Sequence, residues 1–98
     1  MGYRLSSEAK EDLIGIAEQG SKLFGYAQAK KYYQELRRTF KLIATNPRMA
    51  RERHEISPPV RVHPHKGHLI IYRIDENGDV LILALRHAHE DWTGESVQ

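Results

Sequence analysis

The first half of the chain places its apolar residues with the period of an α-helix. A short alternating stretch from Tyr3 to Ser6 predicts an opening strand. The apolar positions that follow lie on one helical face and comprise Ala9, Leu13, Ile16, Ala17 and Phe24. Ser6 or Ser7 is expected to cap this helix, because serine accepts hydrogen bonds from free amide groups of the first turn. Gly25 is expected to end it.

A second apolar stripe predicts a second helix. It begins near Tyr26 and steps by 4, 3, 4 and 3 residues through Ala29, Tyr33, Leu36, Phe40 and Ile43. Asn46–Pro47 is expected to end this helix, since the residue before a proline is disfavoured in the α conformation. The short connection at Gly25 predicts an antiparallel helical hairpin whose two stripes pack against each other and onto a sheet.

Beyond Pro59 the period changes to two, which predicts three strands. The first begins with the alternation of Val60 to His63 and precedes a turn at Lys66-Gly67, and the other two run from His68 to Asp75 and from Val80 to His87. Asn77–Gly78 is a strong hairpin signal between the last two. The predicted order is therefore strand, helix, helix, strand, strand, strand. This order indicates a single α+β domain over residues 1–98, with the hairpin packed on an antiparallel sheet and a frayed tail at 93–98.

Composition excludes several classes of function. The chain has 98 residues and no cysteine, which rules out disulfides, thiolate metal sites and a cysteine nucleophile. It has neither a glycine-rich phosphate loop nor a serine at a strand-to-helix elbow, so we expect no cofactor and no serine triad. No apolar run reaches membrane-spanning length and no leader-like segment opens the chain. We therefore expect no membrane association and a cytoplasmic location.

Positive charge is concentrated in the middle of the chain. Residues 26–66 hold ten lysines and arginines against three glutamates, although the formal charge of the whole chain is only +2. Such a segment favours an anionic partner, either nucleic acid or an acidic protein segment, and the alternative is a solvated helix face. The candidate partner-binding residues are Lys30, Lys31, Arg37, Arg38, Lys41, Arg61, Arg86, His89 and Trp92.

Three histidines lie within the stretch VRVHPHKGHLIIYRI. His63 and His65 are two residues apart, a spacing that can hold a metal on a strand. However, Pro64 lies between them, and no acidic residue or cysteine is near in sequence, so no metal site is expected. We interpret His68 and His87 as strand-end residues, and His63, His65 and His89 as polar residues available to a partner.

A ribonuclease is an alternative hypothesis. Cleavage through a 2′-hydroxyl needs a base, an acid and cationic groups that stabilise the developing phosphorane charge. Suitable residues lie on adjacent predicted strands, namely Arg61, His63, Arg73, Arg86 and His87.

The whole pattern resembles the ParE branch of the RelE/ParE toxins. The resemblance covers residues 3 to about 91 and rests on the order and spacing of several short motifs. These are Leu5-Ser6-Ser7-Glu8-Ala9 with Asp12-Leu13, Phe24-Gly25 with Ala29 and Tyr33–Leu36, Asn46-Pro47, Arg61, His68–Ile74, and Leu85-Arg86-His87 with Asp91. The fold of that family agrees with the element order derived above.

The resemblance implies the toxin of a two-gene toxin–antitoxin module. Its antitoxin is expected to be ParD-like, acidic and folded only on binding, and we expect no direct sequence-specific DNA binding by the toxin. ParE-like members are associated with poisoning DNA gyrase, and RelE-like members with cutting mRNA on the ribosome. The acidic ending His89-Glu90-Asp91-Trp92 lacks the basic, tyrosine-containing segment of RelE-like chains. It therefore favours gyrase, and a nontoxic binding module with the same fold is a third alternative. The contact with gyrase is expected from Arg86 through Trp92, and the other candidate is the hairpin end around Gly25, Tyr26, Lys30 and Lys31.

Overall fold

The computed structural model describes residues 2–88, which form two helices and five strands. In chain order these are β1 (Tyr3–Leu5), α1 (Ser7–Phe24), α2 (Tyr26–Thr45), β2 (Glu52–Arg53), β3 (Val60–His65), β4 (His68–Ile74) and β5 (Val80–His87). Both helices pack on one face of a single sheet. The predicted frayed tail and the candidate residues His89 and Trp92 lie outside the described residues.

The helix boundaries follow the predicted capping residues. Ser6 is the N-cap of α1, and its side chain accepts a hydrogen bond from the amide of Ala9 at 3.0 Å. Gly25 separates the two helices with a φ of 88°, a conformation that costs glycine little and other residues much more. Asn46 follows the last residue of α2, as predicted. Within residues 2–88, neither helix is long and apolar enough to cross a membrane.

The sheet is mixed, whereas the sequence predicted an antiparallel one. Its strand order is β1-β5-β4-β3-β2, and β1 pairs in parallel with β5 while the other neighbours are antiparallel. The prediction was wrong at β1 because α1 and α2 form a closed hairpin that returns the chain to the same end of the sheet. The sequence analysis also missed β2, whose two residues pair with Val60 and Arg61 of β3.

A bulge between β4 and β5 distributes the apolar residues of β5 between two clusters. Ile71 lies opposite Ala84 and Tyr72 lies opposite Ile82, so Leu83 has no partner residue on β4. Ile82 belongs to the main core beneath the helices, and Leu83 and Ala84 both belong to a second cluster with Ile71. The bulge explains how a strand that is apolar along its whole length contributes to both clusters.

The main core joins the predicted helical stripes to the sheet. Leu36, Phe40 and Ile43 of α2 are fully buried against Leu13 of α1 and against the sheet. Tyr33 was predicted in this stripe but is 37% exposed. The neighbouring Tyr32, which the sequence analysis did not select, packs against the core instead.

Candidate functional site

Three histidines form a row across the end of the sheet. His65 of β3 lies opposite His68 of β4, and His68 lies opposite His87 of β5. Residues paired in this way place their side chains on the same face of a sheet. The rings of His68 and His87 are accordingly only 4.9 Å apart between centroids. We call these three residues the histidine row.

Two side chains of α2 hold the histidine row in place. The hydroxyl oxygen of Tyr32 lies 2.6 Å from Nδ1 of His68, and the hydroxyl oxygen of Thr39 lies 3.2 Å from Nδ1 of His65. Thr39 donates its own hydrogen to the carbonyl of Glu35 at 3.0 Å, which leaves its oxygen to accept from His65. The Nε2 atoms of His65 and His68 are buried and have no hydrogen-bond partner among the described residues.

Burial lowers the pKa of two members of the histidine row, His65 and His68, and so favours their uncharged form. The pKa of His68 is lowered by burial first, and then by the neighbouring His87 and His65. The pKa of His65 is lowered by burial and by Lys66, and the pKa of His63 is lowered by burial alone. Burial also raises the pKa of Tyr32, so that its hydroxyl stays protonated. In their uncharged form, the rings of His65 and His68 can each donate one hydrogen bond and accept another.

A partly open cavity of about 520 Å³ lies between the histidine row and the tip of the helical hairpin. Its walls are mostly apolar, and they comprise Ile16, Gln19, Gly20, Leu23, Phe24, Gln28, Ala29, Tyr32, Lys66, Gly67, His68 and His87. Leu23 and Phe24 are 64% and 71% exposed. Adjacent large apolar side chains that remain in solvent are typical of an interaction surface. We call this cavity with Leu23 and Phe24 the hairpin-end surface.

The solvent side of α2 forms a second candidate surface. It carries five cations, which we call the basic face: Lys30, Lys31, Arg37, Arg38 and Lys41. All but Arg37 are exposed. The guanidinium of Arg37 lies over the rings of Tyr3 and Tyr33, at 5.6 and 5.9 Å from their centroids, which fixes it against the helix surface.

The remaining arginine candidates lie in three different environments. Arg61 donates a hydrogen bond of 2.6 Å to the carbonyl of Ala50 and so holds the segment that follows α2. Arg86 pairs with Glu8 and Asp12 of α1, and only 14% of its side chain is exposed. Arg73 is exposed and lies on the sheet face opposite to that of its neighbour Tyr72.

The structure therefore does not bring the five nuclease candidates together. Arg61, His63 and His87 share the helix-covered face with Tyr72, Ile70 and Leu85 by register, whereas Arg73 is on the other face and Arg86 is engaged by α1. Within residues 2–88, no three histidine or carboxylate side chains lie close enough to hold a metal ion. Sequence reasoning missed Tyr32 and Thr39, whose only signal was their spacing of seven on one helical face.

Comparison with known proteins assigns the chain to a family. The family model described as the ParE toxin of the type II toxin–antitoxin system parDE matches residues 3–92. A protein named Toxin ParE1 from Mycobacterium tuberculosis is 30% identical over 89 residues, which is 91% of each chain. Another Toxin ParE1, from Caulobacter vibrioides, is 30% identical over 79 residues, covering 81% of this chain and 82% of the relative.

A solved structure shows the same fold. A chain of the chromosomal ParDE TA system from P. aeruginosa superposes with a TM-score of 0.76 at 20% identity, and the match covers 89% of this chain and 95% of that one. The family model spans nearly the whole sequence, and the fold and element order agree with it. The chain therefore belongs to the ParE toxin family of type II toxin–antitoxin systems.

Proposed function

We propose that the protein is a toxin that poisons DNA gyrase and is neutralised by a ParD-like antitoxin. The observation that carries this proposal is the separation of the nuclease candidates, since Arg73 lies on the opposite sheet face and Arg86 is bound by Glu8 and Asp12. The surface instead offers a partly apolar hairpin-end surface and a basic face, which suit binding rather than chemistry. The hairpin-end surface combines the tip of the helical hairpin with one end of the sheet, and the basic face lies on α2.

Poisoning of gyrase needs no chemistry from the toxin. A ligand shifts an equilibrium between two states only by the difference between its affinities for them. The toxin therefore has to bind the gyrase–DNA complex with cut strands more tightly than the complex with intact strands. A compact, preformed surface loses little conformational entropy on binding, which raises its overall affinity. The preference for the state with cut strands has to come from contacts that are made only in that state.

The antitoxin is expected to cover the hairpin-end surface and to reach the basic face near Arg37, Arg38 and Lys41. An acidic, amphipathic segment suits both, because its apolar residues enter the cavity and its carboxylates meet the cations. Replacing Leu23 and Phe24 by serine should weaken antitoxin binding. The matched control replaces Ile14 and Leu42, which are also exposed, by serine. Equal affinities of the two double variants in calorimetric titration with the cognate antitoxin would argue against this footprint.

An mRNA interferase is the second candidate function, and one observation favours it. His68, whose pKa is lowered by burial, lies 2.6 Å from the hydroxyl of Tyr32 and lines a cavity together with His87. A neutral imidazole is the form that acts as a general base. Under the mRNA interferase hypothesis, His87 and His68, rather than Arg73, would lie at the reacting phosphate.

Two assays run side by side decide between these functions. Purified gyrase with supercoiled plasmid should accumulate linear DNA when the toxin is added, and translating ribosomes should leave a bound mRNA uncut. His87→Ala should keep gyrase poisoning at the wild-type toxin concentration. Ribosome-dependent cleavage that His87→Ala abolishes by the ~10²–10⁴-fold expected of a catalytic base would replace the gyrase proposal with the nuclease one.

The end of the chain is a further proposed contact with the target. Trp92 is the only tryptophan, and tryptophan is enriched at interface hot spots. Truncation after Asp91 should leave thermal stability and antitoxin affinity unchanged while it abolishes accumulation of cleaved DNA. A truncated protein that loses stability instead would identify Trp92 as part of the fold, and undiminished poisoning would remove the tail from the interface.

A further inference from the structure

The basic face has a regular geometry along α2. At 3.6 residues per turn, positions 27, 30, 34, 38, 41 and 45 lie within an arc of about 80° on the side of the helix opposite Leu36. They hold Ala27, Lys30, Gln34, Arg38, Lys41 and Thr45. All six are exposed, whereas Leu36 is fully buried. The cations from Lys30 to Lys41 extend over about 16 Å of helix axis at 1.5 Å per residue.

The charge of this face is not compensated from within the described part of the chain. Lys30, Arg38 and Lys41 form no ion pair with any carboxylate of residues 2–88. The single acidic residue of α2, Glu35, is already bound to Lys66 at 2.7 Å. Lys41 also lies three and four residues after Arg38 and Arg37, where like charges repel each other on a helix. An anionic partner removes this repulsion.

The composition of the arc distinguishes a polyanion from a protein partner. The other three positions of the arc carry only small or uncharged side chains, namely those of Ala27, Gln34 and Thr45. Protein interfaces concentrate their binding energy in large buried anchors, which this arc lacks. Phosphate backbones instead are bound by lysine, arginine and small polar side chains such as these. The large exposed apolar residues Leu23, Phe24 and Tyr26 are at the hairpin end, where they suit a protein partner.

We propose that Lys30, Arg38 and Lys41 of the basic face bind the phosphate backbone of double-stranded DNA without reading its sequence. Duplex DNA carries one negative charge per roughly 1.7 Å of axis, so that the ~16 Å length of the face meets several phosphates at once. In assigning this DNA to the gyrase complex, we rely on the proposed function above. In the gyrase–DNA complex, the contact between the basic face and the DNA backbone supplies part of the affinity of the toxin for the complex. An antitoxin that covers Arg38 and Lys41 blocks this contact.

Binding to DNA alone tests this proposal without gyrase. Fluorescence anisotropy is measured on two labelled duplexes of about 30 base pairs with unrelated sequences, between roughly 50 and 200 mM NaCl. The two duplexes should be bound equally, and log K should fall linearly with log salt concentration with a slope of about −3. The triple variant Lys30→Gln, Arg38→Gln and Lys41→Gln should lose most of this slope and weaken binding at least about tenfold at the lowest salt.

The matched control removes the same amount of charge elsewhere. It combines Lys10→Gln, Lys22→Gln and Arg73→Gln, three exposed cations outside α2. Circular dichroism must show that both triple variants are folded. The control should change the slope by less than ~1. Equal losses in the two triple variants, or a wild type that does not bind DNA even at the lowest salt, would overturn the proposal.

A second probe separates DNA from acidic protein. Polyglutamate of matched charge should bind to the protein more weakly than the duplex does. If polyglutamate binds more tightly than the duplex, and the α2 triple variant weakens both equally, the basic face is assigned to an acidic polypeptide instead. Loss of gyrase poisoning has no bearing on these measurements. A chain that binds DNA through this face but does not poison gyrase refutes the proposed function alone, and poisoning without DNA binding refutes this inference alone.

Discussion

Phe40→Ala tests the packing of the helical hairpin on the sheet. Phe40 is fully buried in the main core, and its ring lies 5.5 Å from the ring of Tyr3 at an interplanar angle of 59°. A buried phenylalanine removes about 150–250 Å² from water, which at ~25 cal/mol per Å² is worth roughly 4–6 kcal/mol. The methyl group of alanine keeps a small part of this stabilisation, which lowers the cost of the substitution. The cavity left by the missing ring adds to the cost again. We expect the free energy of unfolding to fall by about 4 kcal/mol.

The chain supplies its own control for this measurement, because it has only two phenylalanines. Phe24 is 71% exposed, and Phe24→Ala should change the free energy of unfolding by no more than ~0.5 kcal/mol. Urea denaturation followed by far-ultraviolet circular dichroism gives both values, with an unchanged m-value as the sign of a two-state transition.

A loss of ~4 kcal/mol is a large part of the roughly 5–15 kcal/mol typical of such a domain. A milder substitution at the same position therefore provides a second measurement that does not depend on the folding of Phe40→Ala. Phe40→Leu keeps most of the volume and should cost less than about 1.5 kcal/mol. A denaturation midpoint that Phe40→Ala leaves unchanged, or equal losses at Phe24 and Phe40, would refute the assignment of Phe40 to the core.

Two further predictions concern the polar contacts of the core. Asp12→Ala should lower the free energy of unfolding by roughly 2–3 kcal/mol. The reason is that the carboxylate accepts hydrogen bonds from the amide of Leu85 in β5 at 3.0 Å and from Arg86 at 2.9 Å. Glu11→Ala, at the exposed neighbouring position, is the control and should cost no more than ~0.5 kcal/mol in the same chemical denaturation. The pKa values of His65 and His68 are lowered in the folded state, so the unfolded chain binds more protons than the folded chain as pH falls. The free energy of unfolding should therefore keep its full value above about pH 6.5 and decrease as pH falls below that value. A stability that rises on acidification from about pH 7 to about pH 5 would contradict the lowered pKa values of His65 and His68.

The elements of the fold were predictable from the sequence because their signals are local. Ser6, Gly25 and Asn46 mark the helix ends through backbone chemistry within a few residues, and the structure confirms all three. The parallel pairing of β1 with β5 was not predictable in the same way. It joins Tyr3 to Val80, and no local pattern reports on a contact between residues so far apart.

The candidate site was less predictable than the fold. The histidines were recognisable in the sequence as candidates. They form a row only because the register of β3, β4 and β5 pairs them, and the bulge at Leu83 helps to set this register. Tyr32 and Tyr33 are adjacent at the border of an apolar stripe, and a rotation of α2 by one residue exchanges their roles. The structure resolves this ambiguity in favour of Tyr32, which contacts His68.

The pairing of β1 with β5 also determines when a newly made chain can fold. Ser6 of the α1 cap bonds Ile82 and Leu83, and Asp12 bonds Leu85, so the first helix is anchored to the strand that is synthesised last among the described elements. Contacts between such distant residues form only when the intervening chain is present, and they slow folding.

During translation, the amino-terminal half therefore leaves the ribosome without the strand that it packs against. Residues such as Leu13 and Phe40 have no completed core to enter until β5 is available. A growing chain consequently has no finished hairpin-end surface until β5 contributes His87 to its wall. On the proposed function, this delay gives an antitoxin already present in the cell the first opportunity to bind.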